Sequence, residues 1–265
     1  MSDSNPKGAA LITGASTGIG AVYADRLAKR GHDLILVARD EARLNTVAER
    51  LRAETGVKVE VIKADLTNKA DLVKLEERLA SDPAIEVLVN NAGAADGQGF
   101  VASDRDAIER LIQLNVTAVT RLAQAAASSF APRDHGTIIN LSSVVGLLPE
   151  MRSTVYGATK AFVLFLTQGL RQELPTGVRV QAVLPGATRT EIWERAGIDV
   201  GAFDPEMVMD VDAMVDAALA GFDQGELVTI PSLPDQDDWN AFQAARGKLG
   251  PNLSRRVPAA RYTAG

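Results

Sequence analysis

Seven short runs of apolar, often β-branched residues recur along the chain, separated mostly by stretches with helical spacing. That alternation constrains the fold more than any other feature. The runs are Ala9–Ile12, Leu34–Val37, Val57–Ile62, Ile85–Val89, Thr137–Leu141, Val178–Leu184 and Leu227–Ile230. Several are apolar throughout, as strands covered on both faces are. Val57-Lys58-Val59-Glu60-Val61 alternates instead, which predicts a strand nearer a sheet edge. Asp40 is placed to cap a helix running to about Glu54, with Leu44, Val47, Ala48 and Leu51 at three- and four-residue spacing. Further helices are predicted near 18–30, 69–80, 104–130, 153–173 and 211–222. The expected fold is therefore α/β, a parallel doubly wound sheet with helices on both faces. No linker divides the chain, so one domain is expected over 1–265. Two regions break the alternation: 186–210, and an extension over 232–265 with a helix near 238–247. A long irregular insertion in a compact domain is usually functional.

Composition then removes whole classes of function. Of 265 residues, 46% are hydrophobic and 23% charged, an ordinary globular balance. The net charge of −6 speaks against nucleic acid or an anionic membrane as the main partner. There is no cysteine, which excludes a disulfide scaffold, a thiolate metal site and a cysteine nucleophile. The two histidines, His32 and His135, lie far apart and read as solvated loop residues, so no metal site is expected. Residues Met1–Lys7 contain no apolar core of a secretory signal. The longest apolar run, Ala161–Leu166, is far too short to span a membrane. A cytoplasmic protein without a membrane partner is the expectation.

The first run leads into Thr13-Gly14-Ala15-Ser16-Thr17-Gly18-Ile19-Gly20, and a helix begins inside it. Glycines there let the backbone approach a pyrophosphate, and the helix N-terminus offers unpaired N–H groups and a positive dipole end. A turn that needs glycine for packing alone is the plainer alternative. The position after a strand and before a helix, in the first βαβ unit, favours the phosphate. The spacing is Gly-x3-Gly-x-Gly, and here the chain resembles the short-chain dehydrogenase/reductase family, whose loop reads Thr-Gly-x3-Gly-x-Gly. Asp65-Leu66, Asn90-Asn91-Ala92-Gly93, Asn115, Ser143 with Tyr156-x3-Lys160, and Pro185-Gly186-x3-Thr190 match the family in order, over about residues 8–231. The resemblance implies a Rossmann-type sheet of about seven strands. It also implies a nicotinamide cofactor held by Gly14, Ser16, Thr17, Gly18, Ile19 and Gly20. Asp65 would meet the adenine edge with Leu66 supplying backbone, and Asn91, Ala92 and Gly93 would wall the adenine ribose. Pro185, Gly186, Thr188 and Thr190 would hold the nicotinamide end.

The end of the second strand separates the two nicotinamide cofactors. A carboxylate there bonds the ribose 2′-hydroxyl of NAD, and in this chain the position is Ala38, followed by Arg39. A carboxylate about 4 Å from a 2′-phosphate would cost roughly 4 kcal/mol at an effective dielectric of 20. Its replacement by a guanidinium reverses the preference, so NADP(H) is expected over NAD(H). NAD(H) stays possible, because Thr17 stands where NADP-binding members often have a second basic residue. Arg39 as a solvated loop charge is the alternative.

Tyr156 and Lys160 are four residues apart on a predicted helix and share a face. A free tyrosine has a pKa of about 10. A neighbouring ammonium is expected to pull it down toward working range. The resemblance implies that Tyr156 exchanges a proton with the substrate oxygen and that Lys160 lowers its pKa and holds the nicotinamide ribose. It further implies that Ser143 positions the same oxygen, and that Asn115 holds a water relaying protons from Lys160. Ser142, the rival serine, would point away from a strand end, and the thirteen-residue spacing to Tyr156 selects Ser143.

The function expected is hydride transfer between NADP(H) and a carbonyl or alcohol, the substrate an apolar ketone or secondary alcohol. It would lie between a flap over 186–210, including Trp193, and a wall of Val144–Leu148, Met151 and Val155, with Val145 and Met151 nearest. Arg152, Arg189 and Arg195 are nearby cations offset by Glu150, Glu191 and Glu194, which disfavours dianionic substrates. Trp193 and the methionines as mere packing of the flap is the alternative there. A non-catalytic nucleotide-binding scaffold or sensor remains a second reading, since fold does not fix function. A nucleotide-sugar dehydratase or epimerase would usually need a longer substrate domain. Ala158, Ala161, Phe162, Phe165, Leu166 and Gly169 form an apolar set wider than one buried stripe needs. A homodimer or homotetramer is expected through that helix, with much of the set facing the sheet.

Overall fold

The computed structural model describes residues 7–95, 97–151 and 153–263. Arg152 and the N-terminal residues 1–6 lie outside the described residues. Through Pro231 the chain forms one compact unit, and from Ser232 a second.

In the first unit seven strands form one sheet. They are β1 (Lys7–Thr13), β2 (His32–Ala38), β3 (Val59–Lys63), β4 (Ile85–Asn90), β5 (Gly136–Leu141), β6 (Val178–Val183) and β7 (Val228–Thr229). Their order is β3-β2-β1-β4-β5-β6-β7, and every pairing is parallel. The chain reverses direction of winding between β1 and β4, so the crevice at their carboxyl ends is where such a sheet binds ligands. The alternating strand is indeed at the edge. Its pairing begins at Val59 rather than Val57, because the Lys58 amide donates to the Asp33 carboxylate (2.9 Å).

Side chains alternate between the two faces of each strand. Ala10 and Ile12 of β1 join one core with α1 (Gly18–Lys29), α2 (Glu41–Thr55) and α8 (Val211–Asp223). Leu11 joins the other, with α3 (Lys69–Ser81) and α5 (Val119–Phe130). Asp40 caps α2, its carboxylate accepting from the Arg43 amide (3.0 Å). The long helix expected over 104–130 is α4 (Arg105–Ile112), a π-helical turn (Gln113–Ala118) and α5. A wide turn of this kind inside a helix often marks a functional position, and Asn115 sits in it.

On α6 (Thr154–Glu173) the sheet-facing expectation is corrected. Gly157, Lys160, Val163, Leu164 and Thr167 are buried, whereas Phe162 and Phe165 are exposed, the latter at 73%. Polar Lys160 and Thr167 take inward positions because each finds a buried partner. His32 is also corrected: it opens β2, half-buried, with Nδ1 on the Gly8 carbonyl (2.8 Å). His135 is the loop residue expected, near Glu86 (3.5 Å).

The region 186–210 holds α7 (Ile192–Arg195), two 3-10 turns and a single bridge between Thr188 and Met209. In the second unit α9 (Gln236–Gly247) is capped by Asp235 and packs Trp239 on Phe242, ring centroids 5.5 Å apart. Among the described residues no helix is long and apolar enough to cross a membrane, and no cluster of potential metal ligands occurs.

Candidate active site

The glycine turn lies at the carboxyl end of β1. Gly14 and Gly18 have positive φ, +67° and +54°, which a side chain would strain. A Cβ on Gly20 would fall 2.3 Å from the Gly14 carbonyl oxygen, so the turn closes only with glycine there. Thr17 precedes α1 without a side-chain cap, and the first turn carries no acidic residue. The leading N–H groups of α1 are thus left for an anion. Ser16 is half-buried beside them, and Ile19 packs against the first core. The residues present fit a dinucleotide's pyrophosphate.

Asn91 fastens the end of β4 to this turn. Its Nδ2 donates to the Thr13 carbonyl (2.8 Å) and the Gly14 carbonyl (3.2 Å), while the amides of Asn91 and Ala92 both donate to Thr13 Oγ1 (3.0 Å each). Thr13 is therefore the knot of the cleft, a role its place in the motif alone does not reveal. Arg39 is exposed after β2. Asp65 accepts from the Thr67 amide (2.9 Å) and hydroxyl (2.7 Å). Desolvation raises the pKa of its carboxyl, but the Thr67 bonds and the charge of Arg39 outweigh that and hold it below the ordinary range. Leu66 is buried in the second core.

Ser143, Tyr156 and Lys160 converge at the carboxyl end of β5. Ser143 Oγ donates to the Pro185 carbonyl and accepts from the Val145 amide (3.3 Å each), and it stands close enough to Tyr156 to favour the phenolate. Lys160 is buried, its Nζ donating to the Leu141 carbonyl (2.8 Å) and standing 5.6 Å from the Tyr156 ring centroid. A Cβ on Gly93 would lie 3.5 Å from that Nζ and 3.3 Å from Asn115 Oδ1. Ser142 serves elsewhere, its hydroxyl donating to the Lys160 carbonyl (2.7 Å).

The electrostatics correct one expectation. Desolvation pushes Tyr156 up, to about 12, against the lowering by the Ser143 hydrogen bond. Burial pushes Lys160 down, to about 8. The ammonium does not pull the phenol below its ordinary value here, because desolvation of the ring hydroxyl is the larger effect and Nζ is turned to the Leu141 carbonyl.

Asn115 has its side chain fully engaged. It accepts from the Ala94 amide (3.0 Å) and donates to the Ala94 carbonyl (2.9 Å) and Thr159 Oγ1 (3.1 Å). Beneath it runs a buried chain that the apolar pattern concealed. Asn90 Nδ2 donates to the Val119 carbonyl (3.3 Å) and Asn140 Oδ1 (3.0 Å), Asn140 Nδ2 donates to Thr167 Oγ1 (2.9 Å), and Thr167 donates to the Val163 carbonyl (2.8 Å). Asn90 directly after one apolar run and Asn140 inside another were the available signal.

On the far side, Val145 abuts Gly157, and Met151 is exposed. Trp193 donates its indole N–H to the Thr188 carbonyl (2.7 Å) and packs edge-on against Phe203 (5.3 Å). Thr188 donates to the Gly186 carbonyl (3.2 Å). Thr190 reaches back to the glycine turn, its Cγ2 3.2 Å from where a Cβ on Gly18 would be. A Cβ on Gly97 would strike the Ala196 carbonyl at 2.2 Å, so the segment after β6 seats closely on the loop after β4.

The family model for short chain dehydrogenase matches residues 8–200. A solved short-chain dehydrogenase from Sphingobium yanoikuyae in complex with NADPH is 57% identical, with a TM-score of 0.94, over 96% of this chain and 99% of that one. A bulky-bulky ketone specific alcohol dehydrogenase from Comamonas testosteroni is 50% identical, with a TM-score of 0.90, over 97% and 99% of the two chains. An uncharacterized oxidoreductase of Staphylococcus saprophyticus is 37% identical over 69% of this chain and 79% of its own length.

Proposed function

The chain belongs to the short chain dehydrogenase family of NAD(P)(H)-using oxidoreductases, and from that premise we propose that it interconverts an apolar ketone and its secondary alcohol with NADP(H). The convergence of Ser143, Tyr156 and Lys160 beside the Gly93 wall carries this reading. When bound, the cofactor supplies or accepts the hydride; the protein's residues orient the partners and move the proton. Tyr156, protonated at neutral pH with its pKa near 12, donates to the carbonyl oxygen in reduction and takes the proton back in oxidation. Ser143 holds the same oxygen and steadies its developing charge. Lys160, with its pKa near 8, remains mostly an ammonium at pH 7 and re-supplies the proton. The water relay behind it is assigned to the main chain at Asn115, because the Asn115 amide is committed to Ala94 and Thr159.

Gly14, Ser16, Thr17, Gly18, Ile19 and Gly20 cradle the pyrophosphate, and Arg39 takes the 2′-phosphate where Ala38 leaves no carboxylate to repel it. Asp65, Leu66, Asn91, Ala92 and Gly93 line the adenosine side, and Pro185, Gly186, Thr188 and Thr190 the nicotinamide side. The 57% identical relative was solved with NADPH, which supports the cofactor. Exposed Phe100, Val101, Leu148, Met151 and Met207 lie on loops following β4, β5 and β6. With Val145 they favour a bulky apolar substrate, as the name of the Comamonas relative indicates for that enzyme. The segment 186–210 is the flap over it. Trp193, bonded to Thr188 and packed on Phe203, is read as the flap's internal anchor.

The test is kcat/KM for NADPH and NADH with a panel of bulky and small ketones, in wild type, Arg39→Ala and Tyr156→Phe. NADPH is expected to be preferred, and the preference to shrink in Arg39→Ala. Tyr156→Phe is expected to lose about a hundredfold or more in kcat with cofactor affinity kept. Near-normal turnover by Tyr156→Phe would favour the scaffold reading, and equal efficiency with both cofactors would remove NADP(H) preference.

A further inference from the structure

One ion pair spans the mouth of the cofactor cleft. Arg43, in the first turn of α2, places Nη1 3.0 Å and 2.8 Å from the two carboxylate oxygens of Glu191. Glu191 follows Thr190, which touches the glycine turn at Gly18, and it leads into α7 and Trp193. The Arg43 side chain therefore runs from the turn after β2 to the segment lying against the turn after β1. The adenosine half of a dinucleotide lies between those two turns in a sheet of this kind. The pair lies 148 residues apart in sequence, so it is tertiary rather than local.

Glu191 has a second partner. Arg195 Nη2, at the end of α7, lies 2.6 Å from its Oε2. If Arg43 leaves, Glu191 keeps a cation. Arg43 in turn keeps Asp40, whose Oδ2 lies 3.4 Å from its Nε and whose carboxylate already caps α2, and it feels the charge of Glu194 nearby. Both side chains of the long-range pair are over two-fifths exposed, and ion pairs at such exposure are weak. A phosphate monoester carries about −1.5 to −2 charge at neutral pH and several acceptor oxygens, so it outcompetes a single carboxylate for a guanidinium. A ribose hydroxyl does not.

We propose that Arg43 and Glu191 form a latch between the nucleotide cleft and the substrate flap, which a 2′-phosphate opens by drawing Arg43 away from Glu191. Arg43 then joins Arg39 as a second cation of the phosphate site, and Glu191 swings to Arg195 with the start of the flap released from α2. Cofactor choice and flap freedom are set by the same guanidinium. This rests on the NADP(H) reading above.

The experiment uses adenosine 2′,5′-bisphosphate and AMP, which differ only in the 2′-phosphate and contain no nicotinamide. Their affinities are measured by calorimetry, and Trp193 emission is followed in a Trp239→Phe background, since the chain has two tryptophans. The bisphosphate is expected to shift Trp193 emission, and AMP at saturation to leave it unchanged. Glu191→Gln is expected to show the shifted emission without ligand. It should bind the bisphosphate about two- to fivefold more tightly, the size of one exposed ion pair, with AMP affinity unchanged. Arg43→Gln is expected to bind the bisphosphate more weakly and AMP as before. Equal wild-type affinity for the two nucleotides overturns the NADP(H) reading and the latch with it. A bisphosphate preference that neither Arg43→Gln lowers nor Glu191→Gln raises overturns the latch alone, as does an equal emission shift with AMP.

Discussion

Lys160 is buried at the candidate site, while the proposed role needs it charged, and the two demands oppose each other. Its pKa falls to about 8 in the fold against 10.5 for the free side chain. Between those values the unfolded chain holds more protons than the native one, so stability attributable to this residue rises with pH. Below about pH 8 both states are charged and the burial cost is felt in full. A difference of this size corresponds to about 3 kcal/mol. The stability of wild type relative to Lys160→Met, followed by urea unfolding, is therefore expected to climb by about that much between about pH 7 and 10.5. A flat difference would mean that the ammonium is not desolvated. Turnover is expected to be lost in Lys160→Met at every pH, which would separate the proposed chemical role from the energetic cost.

At the scale of elements, α6 is held in register by polar contacts rather than by its apolar stripe alone. Ser142 binds the Lys160 carbonyl, Asn115 binds Thr159, and Asn140 binds Thr167. They join α6 to β5 at Asn140, to the residue just past β5 at Ser142, and to the π-helical turn at Asn115. Thr167→Val keeps the shape but removes the acceptor of Asn140 Nδ2 in a fully buried place. An unsatisfied buried donor costs about 1–3 kcal/mol, and that loss is expected in chemical denaturation. A double-mutant cycle with Asn140→Leu should show coupling between the pair of roughly 0.5–3 kcal/mol. Strict additivity would show that the bond does not anchor the helix. The glycine turn is held in the same manner, by Asn91 and Thr13 across two strand ends.

For the whole molecule, the outward face of α6 is the open question. Phe165 is 73% exposed and Phe162 40%, and Ile112 at the end of α4 is exposed as well. Large exposed apolar groups on one helix favour a partner surface, and we propose self-association there. Sedimentation at micromolar concentration is expected to give a dimer or tetramer for wild type and a smaller species for Phe165→Glu. A monomeric wild type would leave the face to some other partner.

The strand runs, the helix cap at Asp40 and the glycine turn were legible in the sequence, because each depends on residues within a few positions of one another. Periodicity and capping are local physics. The Ser143–Tyr156–Lys160 set was legible through a motif, although its spacing says nothing of desolvation. What the sequence left open all depends on long-range neighbours. Which face of α6 turns inward is decided by Asn140, whose amide donates to Thr167, and by the Leu141 carbonyl, which accepts from Lys160. Whether Tyr156 titrates above or below its ordinary value follows from how much water the surrounding elements remove. His32 looked like a loop residue until β1 came alongside to take its ring nitrogen. The Arg43–Glu191 pair joins residues that only the doubly wound sheet brings together. Local sequence fixes which elements form, because backbone propensity acts over a turn or two. Charge states and long-range pairs belong to the tertiary structure, because dielectric and distance are properties of the packed assembly of elements and not of any one of them.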